Sequence, residues 1–310
     1  VPIGLIGSAW GGTRIEPWTP VSGFDSVPSL RGVADKVRRY TNLDQVVDRA
    51  QRWAEAVKRA VDEGRRIPSP PQIPKLNHGN PTGLYNGMIA PVVPFSVKGA
   101  IWYQGESNVG EGMAYHDKMK ALISGWRDVF NNDDLSFYYV QIAPYRYNKG
   151  EALPDIWEAQ TATLNVPRTG MAVITDVGNV QDIHPRNKQD VGKRLALWAL
   201  AKDYGKKGIT FSGPLYKSMT VEGNKIRVSF NNTGSGLVSR DGNELSDFMI
   251  SGSDNKFLPA NAVIEGQDVV VSADAISSPK NVRLGWDELV NPNLSNKEGL
   301  PASPFKTDSL

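Results

Sequence analysis

The sequence predicts an α/β protein, with a parallel sheet flanked by helices and then a small antiparallel β module. Three observations predict it. Short apolar runs alternate with segments of helical periodicity over the first two-thirds of the chain. Glycine, amide and charged residues gather directly after those runs, where ligands collect in open α/β sheets. After Lys206 the pattern changes to short alternating runs punctuated by Gly, Asn, Asp and Ser, the mark of antiparallel strands with one solvated face.

Taken in order, residues 1–6 (VPIGLI) read as a buried parallel strand entering the loop GSAWGGT. A buried strand at the first residue is unusual, because parallel strands need neighbours and a preceding crossover. It leads to the expectation that a further βα unit lies upstream. Residues 44–64 form an amphipathic helix with Val46, Val47, Ala50, Trp53, Ala54, Val57, Ala60 and Val61 on one face, closed by Gly64. A proline-rich connector, IPSPPQIPK, follows. A second strand is expected over 97–103, running into QGESN. A helix is then expected over 111–130, with Met113, Met119, Leu122, Ile123 and Trp126 inward and His116 an ordinary helical residue. Strands over 135–142 and 171–175 bracket a short helix over 157–164, and a helix over 187–204 closes the alternation. The module's strands are MTVEG, KIRVSF, DFMISG, AVIEGQDVVVSA and NVRLGW. The domain organisation expected is 1–206, 207–287 and a tail, 288–310, packing back on the first part.

Composition narrows the function classes. With 40% hydrophobic and 22% charged residues the chain can bury a sizeable core, and a formal net charge of +2 gives no electrostatic case for nucleic acid or an anionic membrane surface. No apolar run is long enough to cross a bilayer. With no cysteine there is neither a disulfide nor a thiolate metal site.

The chemistry concentrates in three loops. DIHP carries His184 with Asp182 beside it, the base half of a nucleophilic triad, in which a carboxylate fixes the tautomer and steadies the imidazolium. GSAWGGT carries Gly11 and Gly12, which let backbone N–H groups approach an oxyanion or simply make a tight turn. QGESN supplies Gln104, Gly105, Glu106, Ser107 and Asn108. Base, acidic neighbour and oxyanion donors together fit acyl transfer to water, and no metal or cofactor is called for.

These blocks, GSAWGGTRIEPW, IWYQGESN, DIHPRNKQDVGKR and KEGLPASPFKT, resemble the sialate O-acetylesterase family of the SGNH-hydrolase superfamily, in family order and over nearly the whole chain. The resemblance implies a three-layer αβα flavodoxin-like domain and hydrolysis of acetyl esters on sugars such as O-acetylated sialic acid or acetylated xylan-type glycans. It implies His184 as base, Asp182 as its partner, and an oxyanion or substrate site at Gly11, Gly12, Gln104, Gly105, Glu106 and Asn108. It also favours a secreted or periplasmic location. Two departures stand out. The family's Gly-Gln-Ser-Asn-Met nucleophile block is absent, so the serine is expected on a missing or separate N-terminal segment, a fragment of the same precursor; Ser8 and Ser107 are weaker candidates. One residue rather than two separates Asp182 from His184, leaving Asp176 or a backbone carbonyl as alternative partners. Trp10, Trp18, Trp102, Tyr103 and Tyr145 are candidates to stack on sugar rings. The rival reading is a carbohydrate-binding protein that keeps the scaffold without catalysis.

Overall fold

A computed structural model describes residues 3–71 and 77–308. They fall into two compact units, one of residues up to Ser96 with Lys120–Asp133, the other of Val97–Met119 with Asp134 onward.

The first unit is helical. It contains α1 (Val21–Ser26), α2 (Arg31–Thr41) and α3 (Leu43–Asp62), and then a π-turn at Tyr85–Ile89. Phe24, Val27, Leu30, Ala34 and Ala121 make its core. Ala121 belongs to α4 (Ala114–Val129), whose first residues fall in the other unit. Glycine lets α1 and α4 touch: a Cβ on Gly23 would lie 2.1 Å from the Ala121 carbonyl oxygen, and one on Gly125 2.6 Å from Pro20 Cγ. Met119, Leu122 and Ile123 of α4 are buried as expected, whereas Met113 precedes the helix and is exposed.

Two expectations fail here. Residues 3–6 form no strand, and Ile3, Leu5 and Ile6 are exposed, Leu5 to 87%; Val1 and Pro2 lie outside the described residues. Apolar character alone does not make a strand, because its N–H and C=O groups need a partner strand, and none pairs with this segment among the described residues. Helix α3 forms where expected, with Asn42 accepting the Gln45 N–H as its cap. Its apolar stripe is nevertheless only partly covered: Ala60 is buried, while Val47 and Val61 are exposed.

The second unit carries a parallel sheet, β1 (Gly99–Trp102), β2 (Ser136–Val140) and β3 (Thr169–Ala172), in that order, with Ile101 opposite Tyr138 and Tyr139 opposite Met171. Central β2 is buried along its length, but Ile101 on edge strand β1 is 67% exposed. Helix α5 (Ala152–Ala162) begins earlier than its sequence pattern indicates, and α6 (Lys188–Lys202) packs on β2 and β3. Trp198 of α6 lies so close to β3 that a Cβ on Gly170 would meet its ring at 2.4 Å, and its indole N–H donates to the Met171 carbonyl at 3.0 Å.

The remainder of this unit is antiparallel, as the alternation requires. β4 (Leu215–Glu222), β5 (Lys225–Asn231), β10 (Asp268–Ser272) and β9 (Asn261–Glu265) pair in that order. A second sheet orders β13 (Phe305–Lys306), β11 (Asn281–Leu284), β7 (Phe248–Ser251) and β8 (Leu258–Pro259), and a ribbon joins β12 (Leu294–Asn296) to β6 (Leu237–Ser239). One core unites Ile226, Val228, Val269, Val282 and Leu284 with Leu294, Ala302 and Phe305 of the tail. The tail also reaches the parallel sheet's surroundings: Gln141 donates to Ser303 Oγ at 2.9 Å, and Lys306 pairs with Glu158 at 3.1 Å.

Candidate active site

The loops that follow β1, β2 and β3 meet. Arg146 N–H, after β2, donates to the Val180 carbonyl, after β3, at 3.1 Å. A Cβ on Gly178 would press on Ala143 and Pro144 at 3.2 Å, and one on Gly105, after β1, would lie 2.8 Å from Ile142 Cγ2 and 3.3 Å from Gln160 Nε2. Gly105 is therefore needed for this close approach between loops. Gln160 finishes the end of β2 by accepting the Ile142 N–H at 3.1 Å and donating to the Val140 carbonyl at 3.1 Å, backbone groups the sheet no longer satisfies.

The β1 loop is a short 3₁₀ turn, Glu106–Asn108, on a buried amide scaffold. Gln104 Nε2 donates to Asn108 Oδ1 at 2.8 Å, Asn108 Nδ2 to Glu111 at 3.0 Å, and the Tyr115 hydroxyl to Gln104 at 3.0 Å. Gln104 and Asn108, both expected at the substrate, are thus partly engaged in shaping the loop. Glu106 is the group this turn presents. Burial pushes its carboxyl above the ordinary carboxylate range; the backbone N–H groups of Glu106 and Gly105, Lys188 and His184 pull the other way. His184, whose charge acts on Glu106 in this way, comes from a different loop.

The β3 loop holds His184 and Asp182. Asp182 Oδ1 accepts the backbone N–H of His184 at 3.0 Å, the turn that a carboxylate two residues earlier favours. The imidazole Nδ1 stands 3.8 Å from the same oxygen, outside hydrogen-bond length, and the ring is 88% exposed. Asp176, the alternative partner, is engaged elsewhere. It forms a bidentate pair with Arg194 at 2.6 and 2.6 Å, and Arg194 also donates to the Val173 carbonyl at 2.7 Å. Asn187 caps α6 by accepting the Asp190 N–H at 3.1 Å, and this fixes where the helix starts after His184.

Three residues not singled out from the sequence belong here. Lys188, on the first turn of α6, holds its ammonium 4.3 Å from the centroid of the Tyr103 ring, and partial burial lowers its pKa against the pull of Glu106 and Asp182. Tyr147 lies edge-on to Tyr145 at 5.0 Å; burial and the neighbouring Glu106, Tyr145, Tyr103 and Glu288 raise its phenol above the ordinary range. Glu288, from the segment after β11, is buried and accepts the N–H groups of Tyr147 and Asn148 at 3.0 and 2.9 Å. The signal that could have found Lys188 is its place in the DIHPRNK block, at the start of the helix that follows His184. No local signal points to Glu288, because its contact spans nearly half the chain.

The other candidates stand as follows. Gly11 and Gly12 belong to the first unit, in an exposed turn where Gly12 adopts φ +70°, a conformation glycine enters freely. Ser8, in the same unit, has a buried hydroxyl without a hydrogen-bond partner, so no base among the described residues engages it. Ser107 is half-buried in the Glu106 turn. Trp18 and Trp102 are core residues, whereas Trp10 is exposed and stacks on His78 at 4.8 Å. His116 bonds to Thr163 at 3.1 Å, the ordinary role expected.

Residues 72–201 match the family model described as carbohydrate esterase, sialic acid-specific acetylesterase. Sialate O-acetylesterase of Rattus norvegicus is 33% identical over 70% of this chain and 42% of its own length; that of Homo sapiens is 28% identical over 98% and 57%. The crystal structure of a carbohydrate acetylesterase from Xanthomonas citri superposes with a TM-score of 0.76 at 36% identity, covering 98% of this chain and 60% of that one. The chain thus spans about half the length of the curated relatives it matches.

Proposed function

Starting from a chain related to the sialate O-acetylesterases, we propose that it hydrolyses O-acetyl esters of sugars, with His184 as the general base. The observation that carries this reading is the gathering of the loops after β1, β2 and β3, which carry Glu106 on the first and His184 on the last, at the carboxyl edge of the parallel sheet. A serine attacks the acetyl carbonyl while His184 takes its proton; the imidazolium then returns that proton to the departing sugar oxygen. Water, activated by the same imidazole, clears the acetyl-enzyme. Asp182 is the acidic neighbour that steadies the imidazolium. The exposed ring closes the 3.8 Å gap by turning about its own side-chain bonds. The half-buried Glu106 carboxyl is a second acidic group whose charge acts on His184.

No serine in the sequence carries the Gly-Gln-Ser-Asn-Met neighbourhood. This reading therefore places the nucleophile in sequence upstream of Val1. The test is hydrolysis of acetylated sugars and of 4-nitrophenyl acetate by the chain with and without its upstream sequence. Turnover with the upstream sequence, lost in His184→Ala while the melting temperature is kept, supports the assignment; unchanged rates in His184→Ala end it. The open His184 ring, standing off from Asp182, also suits a second reading, a sugar-binding scaffold without catalysis. Sugar binding with no turnover in either form would favour that reading.

A further inference from the structure

Glu288 comes from the segment after β11, yet its carboxylate lies in a turn of the loop after β2. The side chain is buried and receives three successive backbone N–H groups, those of Tyr147 at 3.0 Å, Asn148 at 2.9 Å and Lys149 at 3.5 Å. Asn148 adopts φ +55°, a left-handed conformation of the kind that aims consecutive N–H groups at one point. The turn is thus an anion cradle, and the chain fills it with its own carboxylate. Each carboxylate oxygen takes one of the two shorter bonds; an amide in the same place would turn a donor toward one of those N–H groups.

The cradle is joined to the loop that carries His184. Arg146, the residue before it, donates its N–H to the Val180 carbonyl at 3.1 Å. Val180 stands in the turn that Asn179 and Asp182 close: the Asp182 N–H bonds to the Asn179 carbonyl at 2.8 Å, and the Gln181 N–H to Asn179 Oδ1 at 2.9 Å. Asp182 then accepts the His184 N–H at 3.0 Å. Every link from Glu288 to His184 is a stretch of backbone or a hydrogen bond of ordinary length. We propose that Glu288 is a positioning residue for the base: it fixes the turn at 146–149 and, through Arg146, sets where the backbone of the His184 loop stands. The kinetic consequence rests on the esterase reading above; the structural one does not.

The experiment compares wild type, Glu288→Gln and Glu288→Ala, in the form carrying the upstream sequence. Glutamine keeps the volume and removes the charge; alanine empties the cradle. Amide hydrogen exchange followed by NMR reads the loops directly. In both variants the amides of Arg146, Asn148, Asp182 and His184 exchange faster, while those of β2 keep wild-type protection. Formate, but not chloride at equal ionic strength, refills the cradle of Glu288→Ala and restores part of that protection. Hydrolysis of 4-nitrophenyl acetate follows the same order: kcat falls at least about tenfold in both variants, and formate recovers part of it in Glu288→Ala. Unchanged exchange at Arg146, Asp182 and His184 overturns the proposal, as does acceleration spread equally through β2, which marks a general loss of stability. So does a wild-type kcat in both variants, or equal recovery, or none, with the two anions. Failure of the esterase reading shows separately, as no turnover by wild type; the exchange pattern and its response to formate then decide the positioning role alone.

Discussion

Replacing Arg194 by Met gives the sharpest test of how the β3 loop is held. Arg194 and Asp176 are both about nine-tenths buried, with two contacts of 2.6 Å between them and a third bond, at 2.7 Å, from Arg194 to the Val173 carbonyl. Methionine has much the same length and fills the same space, so the loss is electrostatic. It leaves Asp176 buried and unpaired and a strand-end carbonyl without its donor. Removing one partner of a buried ion pair costs about 3–5 kcal/mol, because the desolvation of the survivor is no longer offset. Asp176→Asn in the Arg194→Met background removes the stranded charge and brings the loss down to about 1–2 kcal/mol, the cost of the remaining unmet hydrogen bonds. The assay is urea unfolding at 25 °C and pH 7 followed by tryptophan fluorescence, to which Trp198, packed between α6 and β3, contributes. Arg194→Met within about 1 kcal/mol of wild type, or a double variant worse than the single one, refutes the reasoning. The same pair bears on mechanism: Asp176→Asn retaining its fold yet losing turnover as completely as His184→Ala would show that Asp176 serves the imidazole after all.

Two further outcomes follow from the loop geometry. Gly105→Ala places a methyl 2.8 Å from Ile142 Cγ2 in a buried position, an overpacking cost of about 1–3 kcal/mol, and displaces the Glu106 turn; thermal melts should show the loss, while Gly178→Ala, whose nearest contacts are 3.2 Å, should lose less. Glu106→Gln should stabilise the protein, and increasingly so as pH rises. Burial raises the native pKa of Glu106 above the 4.5 of an ordinary glutamate, so between the two values the native state holds more proton than the unfolded chain. Wild-type stability therefore falls as pH climbs through that window, glutamine escapes the fall, and the two proteins converge in more acid solution. Chemical unfolding over a pH series from about 4 to 8 checks it, and a gap that is widest at the acid end would contradict the burial argument.

The elements legible in the sequence are those whose stability is local. The helix after His184 announces itself through the Asn187 cap, and the alternation of KIRVSF survives in β5 as buried Ile226, Val228 and Phe230. What the sequence misreports depends on neighbours. The apolar run at residues 3–6 has strand composition, but pairing is a property of two segments, and it stays exposed. The stripe on α3 has the right period, yet period does not say whether anything covers it. At the site, His184 stands out because it falls, two residues after an acid, in a polar loop between an apolar run and a helical pattern. The geometry of that pair was not legible, since Asp182 bonds the backbone of His184 and stands off from its ring. Lys188 and Tyr147 matter through contacts with residues tens of positions away, and no local pattern encodes those.

The antiparallel module takes part in building the site as well as decorating it. Glu288, just beyond β11, accepts the N–H groups of Tyr147 and Asn148, and the Trp286 indole and Arg283 both bond to Glu151 at the start of α5. Gln141, at the end of β2, is satisfied by Ser303 from the tail. The loop after β2 therefore takes its shape from residues more than a hundred positions later, and that loop carries Tyr147 and bonds Arg146 to the His184 loop. Buried carboxylates are costly unless their acceptor capacity is filled, and Glu288 fills its own with the Asn148 N–H and with the Tyr147 N–H, which it shares with the Tyr145 carbonyl. Glu288 and the loop thus satisfy one another's buried polar groups. A parallel sheet supplies the edge at which loops gather, but here their conformation is fixed by a partner that the same chain folds much later in its sequence.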